Sequence, residues 1–574
     1  MFLRHYQAQL RHLRELAAGF AGTHPALAPM LLGPRADPDV ERVLEGVAYL
    51  TALTGQKLED EFPEFTQELI DLLLPHYLRP LPASTFVLFE PNTPPRTPID
   101  VPRGTGIASA PIDGTACRFT TSCELRVTPL RIDAVAVRSD PAAHPTLELR
   151  FSLQGIPLQE WRDDTLRLFL SSGYEEGSCL LLLLARHVCD VHVAAAGGQP
   201  VQLGREALRF PAFTPTLVHG APHDFPAHRI IQEYLSLPEK FLYVDVCGLE
   251  RWHDRGSADA FTLRIALDAI PPWLPPIDTA SFMLHVVPVV NLFDADAEPI
   301  DHQHRAFEYP VEPEASPRAH YTVHDVTRVD GWTPGQAQAR AYRPFRMHPH
   351  DADVDTPTYR VTRRSTAERG CATFISLQHP PHIQAPQEIL SLHLRCTNGR
   401  LPEALGVGDV SVRCANSPDR MRFANIRPIT PGHGPPLDED LLWRLLSHLH
   451  LNLRSLADAA RIRDLLSLYL PGADDAHAHV RANRRRIEGL EDLRIAAETR
   501  LVGRGGIRRG QAVTLRCRSD HFAGMGDLFI FGSVLERHLG DCAALGAFIR
   551  VELEDPRSGH RFQWPPRIGG KPLI

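Results

Sequence analysis

Prolines set the scale of what this chain can fold into. There are 51 of them in 574 residues. Each removes a backbone donor and fixes φ, so their spread implies many turns and extended connections and few long regular elements. At roughly 150 residues per domain the length predicts about three to five domains. A composition of 43% apolar and 23% charged residues is enough to give such domains real cores.

Helical periodicity is concentrated at the two ends. Tyr6, Leu10, Leu13, Leu16 and Phe20 recur at spacings of three and four and share one face. A second helix starts with Asp37 as N-cap, Pro38 in the first helical position, and Asp39 and Glu41 at the positive end of the dipole. Its stripe is Val40, Val43, Leu44, Val47 and Leu50. A third segment, 64–74, carries Phe65, Leu69, Leu72 and Leu73 and stops at Pro75. From Pro80 to Pro98 six prolines mark an extended stretch and a boundary near residue 82. Past Pro435 and Pro436 a broad leucine face returns with Leu441, Leu442, Leu445, Leu446, Leu449 and Leu453, and further helical stretches follow near 460–470 and 483–491.

Between these ends the pattern is β. Leu147, Leu149, Phe151 and Leu153 alternate, as do Phe261, Leu263, Ile265 and Leu267, and Leu390, Leu392, Leu394 and Cys396. Period two predicts half-buried strands in antiparallel, sandwich-like sheets, and the lack of regular βαβ alternation argues against a Rossmann or barrel scaffold. The apolar run 180–185, between Cys179 and Arg186, reads as a buried strand. Residues 228–235 read as a short helix, 528–531 as a strand and 534–539 as a helix, while Val513, Leu515 and Cys517 alternate. The expected architecture is α+β and multidomain: an N-terminal helical segment over 1–82, β-rich domains over 83–220 and 221–430, and a C-terminal α+β domain over 431–574.

Charge and chemistry exclude more than they suggest. A net charge of -8 leaves no basic footprint for nucleic acid. No apolar run approaches the roughly 20 residues that span a bilayer. Arg4, Arg11, Arg14 and Glu15 interrupt the N-terminal apolar residues, which makes an amphipathic helix rather than a signal peptide and predicts a cytoplasmic protein. The ten cysteines form no Cys-x-x-Cys pair and read as reduced, buried side chains. Histidine pairs occur at His302/His304, His348/His350, His379/His382 and His448/His450 without a His-Glu-x-x-His motif, so surface and loop histidines are expected rather than a metal centre. The loop 503–506 with Arg508 and Arg509 lacks a P-loop ending, and Arg484–Arg486 reads as a solvated basic face or an acidic-partner contact. Carboxylates between Glu59 and Asp71 form the polar face of an amphipathic helix. No catalytic residue, cofactor or metal is expected. The competing readings are a metal-dependent hydrolase on a β scaffold and a nucleic-acid-binding tail protein.

What remains is the apolar stripe near the N-terminus. It either packs within its own small helical domain or joins a bundle shared with another chain. Several stretches decide between these by resemblance: 6–20 (YQAQLRHLRELAAGF), 37–46 (DPDVERVLEG), 60–80 (DEFPEFTQELIDLLLPHYLRP), 101–105 (VPRGT), 117–121 (CRFTT) and 233–249 (EYLSLPEKFLYVDVCGL). They continue with 288–300 (PVVNLFDADAEPI), 396–402 (CTNGRLP), 442–456 (LWRLLSHLHLNLRSL), 529–536 (FIFGSVLE) and 564–573 (WPPRIGGKPL). In this order they resemble the TssF family, a baseplate subunit of bacterial type VI secretion systems. The stretch 346–358 and the pair Ala8-Gln9 depart from the family pattern.

The resemblance implies a structural subunit of a baseplate wedge. In that family two copies embrace one TssG, TssK attaches, and the wedges surround the VgrG spike to start tube and sheath assembly. It also implies no catalytic residue, no cofactor, no direct membrane insertion, and a cytoplasmic complex docked at the inner membrane. Carried onto this chain, Tyr6, Leu10, Leu13, Leu16, Val40, Leu44 and Val47 become the candidate partner-binding surface. The C-terminal domain near 528–539 becomes a candidate for contacts between wedges or between copies of this chain.

Overall fold

The fold is described from a computed structural model, for residues 6–7, 10–11, 13–14, 16–17, 38–139, 144–170, 173–213, 226–303, 305–345, 356–366, 370–380, 387–437, 442, 444–445, 458–470, 477–501, 507–543 and 546–569. The chain folds as two compact units, one of residues 1–73 with 438–443 and one of 74–437 with 444–574.

The smaller unit is helical. Residues 6–7, 10–11, 13–14 and 16–17 are helical, and α1 runs unbroken from Pro38 to Leu73. The sequence reading gives two helices here, one with its stripe from Val40 to Leu50 and one over 64–74, with Pro63 between them. An interior proline costs a helix about 3 kcal/mol, and the flanking good helix formers hold the helix through it. Asp37, the expected N-cap, lies outside the described residues.

The larger unit is built on sheets. One six-stranded sheet takes the strands in the order Val412–Arg413, Gly106–Ile112, Thr115–Thr121, Val286–Val290, Ser84–Pro91, Met421–Asn425. Ser84–Pro91 pairs antiparallel with a strand far away in sequence, Val87 opposite Val287. Val87, Phe89, Ile107, Phe119, Val287, Val289 and Phe423 fill one core beneath it. A five-stranded antiparallel sheet centres on Thr146–Leu153 and Ala260–Leu267, whose burial alternates along the strands as the period-two pattern requires. A four-stranded sheet contains Thr165–Leu170 and Tyr243–Cys247. An eight-stranded sheet runs from Phe293 to Thr397 and is antiparallel except where Arg343 meets Thr358.

The C-terminal sheet holds the parallel pair Ile507–Cys517 and Phe548–Glu554, and the crossover between them is helical. That is a local βαβ unit and not the regular alternation of a Rossmann or barrel scaffold.

Five further described helices pack in this unit: α2 (Tyr174–Arg186), α3 (Pro226–Ser236), α4 (Ala459–Ser467), α5 (Ala478–Glu488) and α6 (Met525–Asp541). Two of them correct the sequence reading. The run 180–185 lies in α2, and 528–531 lies in the buried part of α6. Leu180 to Leu184 are all buried, as are Leu528 to Glu536. A helix buried on every side has no polar face, so the 3.6-residue period disappears and a short apolar run looks like a strand. The local signals are those of a helix: Glu175 and Glu176 in the first turn of α2 and Arg186 in its last.

α6 crosses α2 backbone to backbone. A Cβ on Gly526 would overlap the Ser178 carbonyl, and one on Gly532 would stand 2.6 Å from the Trp564 ring. Beside Gly526, the carboxylate of Asp527 has no solvent exposure. It accepts hydrogen bonds from Tyr174 Oη (2.6 Å), Tyr234 Oη (2.7 Å), Arg486 Nε (2.8 Å) and the Ala523 amide (3.0 Å). The Arg486 guanidinium lies 5.2 and 5.4 Å from the two tyrosine rings and donates to Asn483 Oδ1 at 2.8 Å. One carboxylate thus joins α2, α3, α5 and α6. Arg486, which the sequence places in a solvated basic run, is in the core because Asp527 neutralises it there.

Removing one member of a buried ion pair strands the other, which costs about 3–5 kcal/mol, whereas losing one neutral hydrogen bond costs about 1 kcal/mol. Chemical denaturation of Asp527→Asn should therefore show a loss several times that of Tyr174→Phe. Equal losses would mean that Asp527 is no more than one acceptor among many.

Candidate partner interface

Several of the stretches that carry the family resemblance become internal nodes. Asn291 Nδ2 donates to the Arg118 carbonyl (2.7 Å) and to Asn398 Oδ1 (2.9 Å), while Asn291 Oδ1 accepts from the Asn398 amide (2.6 Å) and Thr397 Oγ1 (2.7 Å). Three stretches, 117–121, 288–300 and 396–402, meet at that point. Thr121 Oγ1 accepts from the Thr105 amide at 3.0 Å and donates to the Pro102 carbonyl at 2.9 Å, which ties 101–105 to the same strand. Near the C-terminus Trp564 Nε1 donates to Ser533 Oγ at 3.1 Å, and Arg567 holds Glu536 through two bonds of 2.8 and 2.9 Å. Burying polar groups in pairs like these fixes chain geometry, because an unpaired partner would cost the full desolvation penalty.

Titratable groups around one cavity are likewise engaged. A cavity of about 750 Å³ is lined by Asp100, Arg126, Asp163, Arg167, Tyr243 and His285 among others. Arg167 binds Asp245 through two bonds of 2.7 and 2.8 Å, and Asp163 accepts from Trp161 Nε1 and pairs with Arg126, both at 2.6 Å. His285 Nε2 accepts from the Thr128 amide at 3.1 Å, and burial pushes its pKa down to about 4. Burial pushes the nearby Cys123 thiol up to about 11, which keeps it protonated and unreactive at neutral pH. These groups satisfy one another, and none is poised as a nucleophile with a base beside it.

The sequence-predicted histidine pairs are largely outside the described residues: His304, His348, His350, His382, His448 and His450 all are. His302 and His379 stack with their ring centroids 5.9 Å apart, and His302 Nδ1 meets Tyr309 Oη at 3.1 Å. Among the described residues no group of three or more His, Cys, Asp and Glu side chains is close enough, as placed, to hold a metal ion. The loop 503–506 also lies outside the described residues. No described helix is long and apolar enough to cross a membrane.

The helical unit differs in kind from the packed body. Along α1, Ala48 and Ala52 are fully buried, and Val40 and Leu44 on the same face are half-buried. One step round the helix, Val43 is 65% exposed, Val47 43% and Leu50 64%. Residues spaced by four and three share a face, so these three form an apolar stripe open to solvent. Of the predicted site residues before α1, Tyr6, Leu10 and Leu13 are half-buried and Leu16 is 56% exposed. Arg14 brings the two helical stretches together through its Nε, which donates to Glu41 at 3.0 Å. The predicted stripe therefore splits. Val40 and Leu44 face inward and Val47 faces out, where Val43 and Leu50, absent from the candidate surface drawn from sequence, join it. Their signal is present in the periodicity, but periodicity gives a stripe and not its inward edge.

Leu528 and Leu539 are wholly buried in α6, so that helix is consumed within the chain. The sheet beside it does offer apolar surface, as at Ile507, which is 77% exposed.

An exposed apolar side chain does little for its own fold. Replacing Val43 and Leu50 together by glutamate should change unfolding free energy by less than about 0.5 kcal/mol per site. Ala48→Glu should lose several kcal/mol by burying a charge. A large loss in the double variant would show that the stripe is already covered.

Comparison with known proteins covers the whole chain. The family profile described as "Type VI secretion system, TssF" matches residues 1–571. The type VI secretion system component TssF1 of Pseudomonas aeruginosa strain PAO1 is 29% identical over 633 aligned residues, spanning 100% of this chain and 99% of the relative. A chain in a cryo-electron microscopy structure of the type VI secretion system TssK-TssF-TssG baseplate subcomplex superposes with a TM-score of 0.76 at 26% identity, over 92% of this chain and 98% of that one. A chain of a type VI baseplate complex superposes with a TM-score of 0.62 at 23% identity over all of both chains, a likeness of fold alone.

Proposed function

The chain belongs to the TssF family of type VI secretion components, and from that premise we propose that it builds a baseplate wedge with TssG-like and TssK-like proteins through the open stripe of its helical unit. It is a structural component of the baseplate and not an enzyme. The observation that carries the interface is the row Val43, Val47 and Leu50, apolar and open to solvent on a helix whose other face is buried. A lone protein gains nothing from such a row, whereas a helix from a partner removes it from water at about 25 cal/mol per Å². The solved relative in a TssK-TssF-TssG subcomplex supports this choice of partners.

The finer role follows the same premise. Two copies would embrace one TssG-like subunit, and the wedges would surround a VgrG-type spike to start the tube and sheath. The complex would stand on the cytoplasmic side of the inner membrane. Contacts between wedges would use the outer surface of the C-terminal sheet rather than α6.

Co-purification tests the interface. The pair Leu10→Asp and Leu13→Asp, and separately Val43→Glu with Leu50→Glu, should abolish capture of a TssG-like partner, with the thermal midpoint of the β body unchanged. Intact complex from the solvent-exposed pair would contradict the assignment.

A further inference from the structure

The open stripe on α1 has a glycine in its middle. Gly46 stands three residues after Val43 and four before Leu50, with Val47 beside it, and all four positions are exposed. Residues spaced i, i+3, i+4 and i+7 mark the corners of a diamond on a helix surface. In knobs-into-holes packing such a diamond receives one side chain of a facing helix. Resting on the assignment of this stripe to a TssG-like partner, we infer that Val43, Gly46, Val47 and Leu50 form one such hole, and that an α-helix of the partner crosses α1 at Gly46 with a bulky apolar side chain seated there.

The chain's own fold does not ask for glycine at 46. The residue lies inside the continuous helix Pro38–Leu73, where alanine would be the better helix former. Its backbone is helical, so no left-handed turn requires it. A Cβ built there meets no atom within 4 Å. Gly526 and Gly532 are different, since close neighbours in this chain occupy the space their side chains would take. A missing side chain on an exposed apolar row serves a second backbone, because the side chains at the crossing set how near two packed helices come.

The chemistry of the hole sets that of its occupant. None of its four corners is charged. At its N-terminal end Asp39 and Arg42 pair with each other at 3.2 Å. One step round the helix, the Thr51 hydroxyl donates to the Val47 carbonyl at 2.8 Å. A charged or polar knob would lose its water there without a partner to replace it, whereas leucine, methionine or an aromatic side chain gains by burial. The opposite face of α1 is held inside the helical unit by Ala48 and Ala52, both fully buried. The hole is therefore carried on a helix already fixed in place.

Competitive capture tests the crossing with full-length chains. Wild type and variant, carrying different tags, are co-expressed with one TssG-like subunit, and the ratio captured is read. Gly46→Leu fills the hole and should be outcompeted by more than about tenfold. Gly46→Ala should be outcompeted in the same direction and by less. For the chain alone, both substitutions should leave the thermal midpoint unchanged or raise it, because both residues favour helix over glycine. A glycine that served only its own fold would not give these opposite signs. Capture of Gly46→Leu equal to wild type would overturn the crossing, and so would a lowered midpoint for Gly46→Ala. The assignment beneath it fails separately. If Val43→Glu with Leu50→Glu still captures the partner, the stripe is not the interface and the crossing falls with it. If that pair abolishes capture while Gly46→Leu competes as wild type, the stripe stands and the crossing alone is wrong.

Discussion

A carboxylate withdrawn from water is tolerable only when its charge and lone pairs are fully met, and the helical centre of the larger unit is arranged to do that for Asp527. Four donors reach it from α2, α3, α5 and the turn before α6. Burial first, and then the charge of Asp527, hold the Tyr174 phenol well above its ordinary pKa, so it remains a donor at any pH the protein meets. Gly526 is the steric counterpart, since only a residue without a side chain lets α6 approach the Ser178 carbonyl closely enough. From α6 the coupling continues outward: Ser533 to Trp564, and Glu536 to Arg567. The C-terminal sheet is thereby fastened to helices that come from the middle of the chain.

The same logic explains why the family-like stretches look as they do. Asn291, Asn398 and the Arg118 backbone are far apart in sequence and share one hydrogen-bond network. In these three stretches the polar groups each find one particular partner and hold the body together.

How much of this is legible in the sequence depends on what each residue faces. The strand at Thr146–Leu153 is legible because one side is buried and the other is not, which prints alternation directly. The helices around Leu180 and Leu528 are not, because complete burial erases the polar face that would set their period. Proline at 63 suggests a break that α1 does not make. Pairings such as Val87 with Val287 leave no local trace. At the interface, the periodicity of Val40 to Leu50 locates the right helix but cannot say which side of the stripe turns inward. Arg486 shows the reverse error: a charged run suggests a surface, and one buried acidic partner makes it core.

Function on this account divides between a body that is satisfied internally and a helical face that is not. Hydrogen–deuterium exchange, measured on the chain alone and bound to a TssG-like partner, separates the two most directly. The account predicts that residues 43–50 of α1 gain protection on binding, while Met525–Asp541 is strongly protected in both states. Unchanged exchange across α1, with new protection appearing on the β body instead, would contradict it.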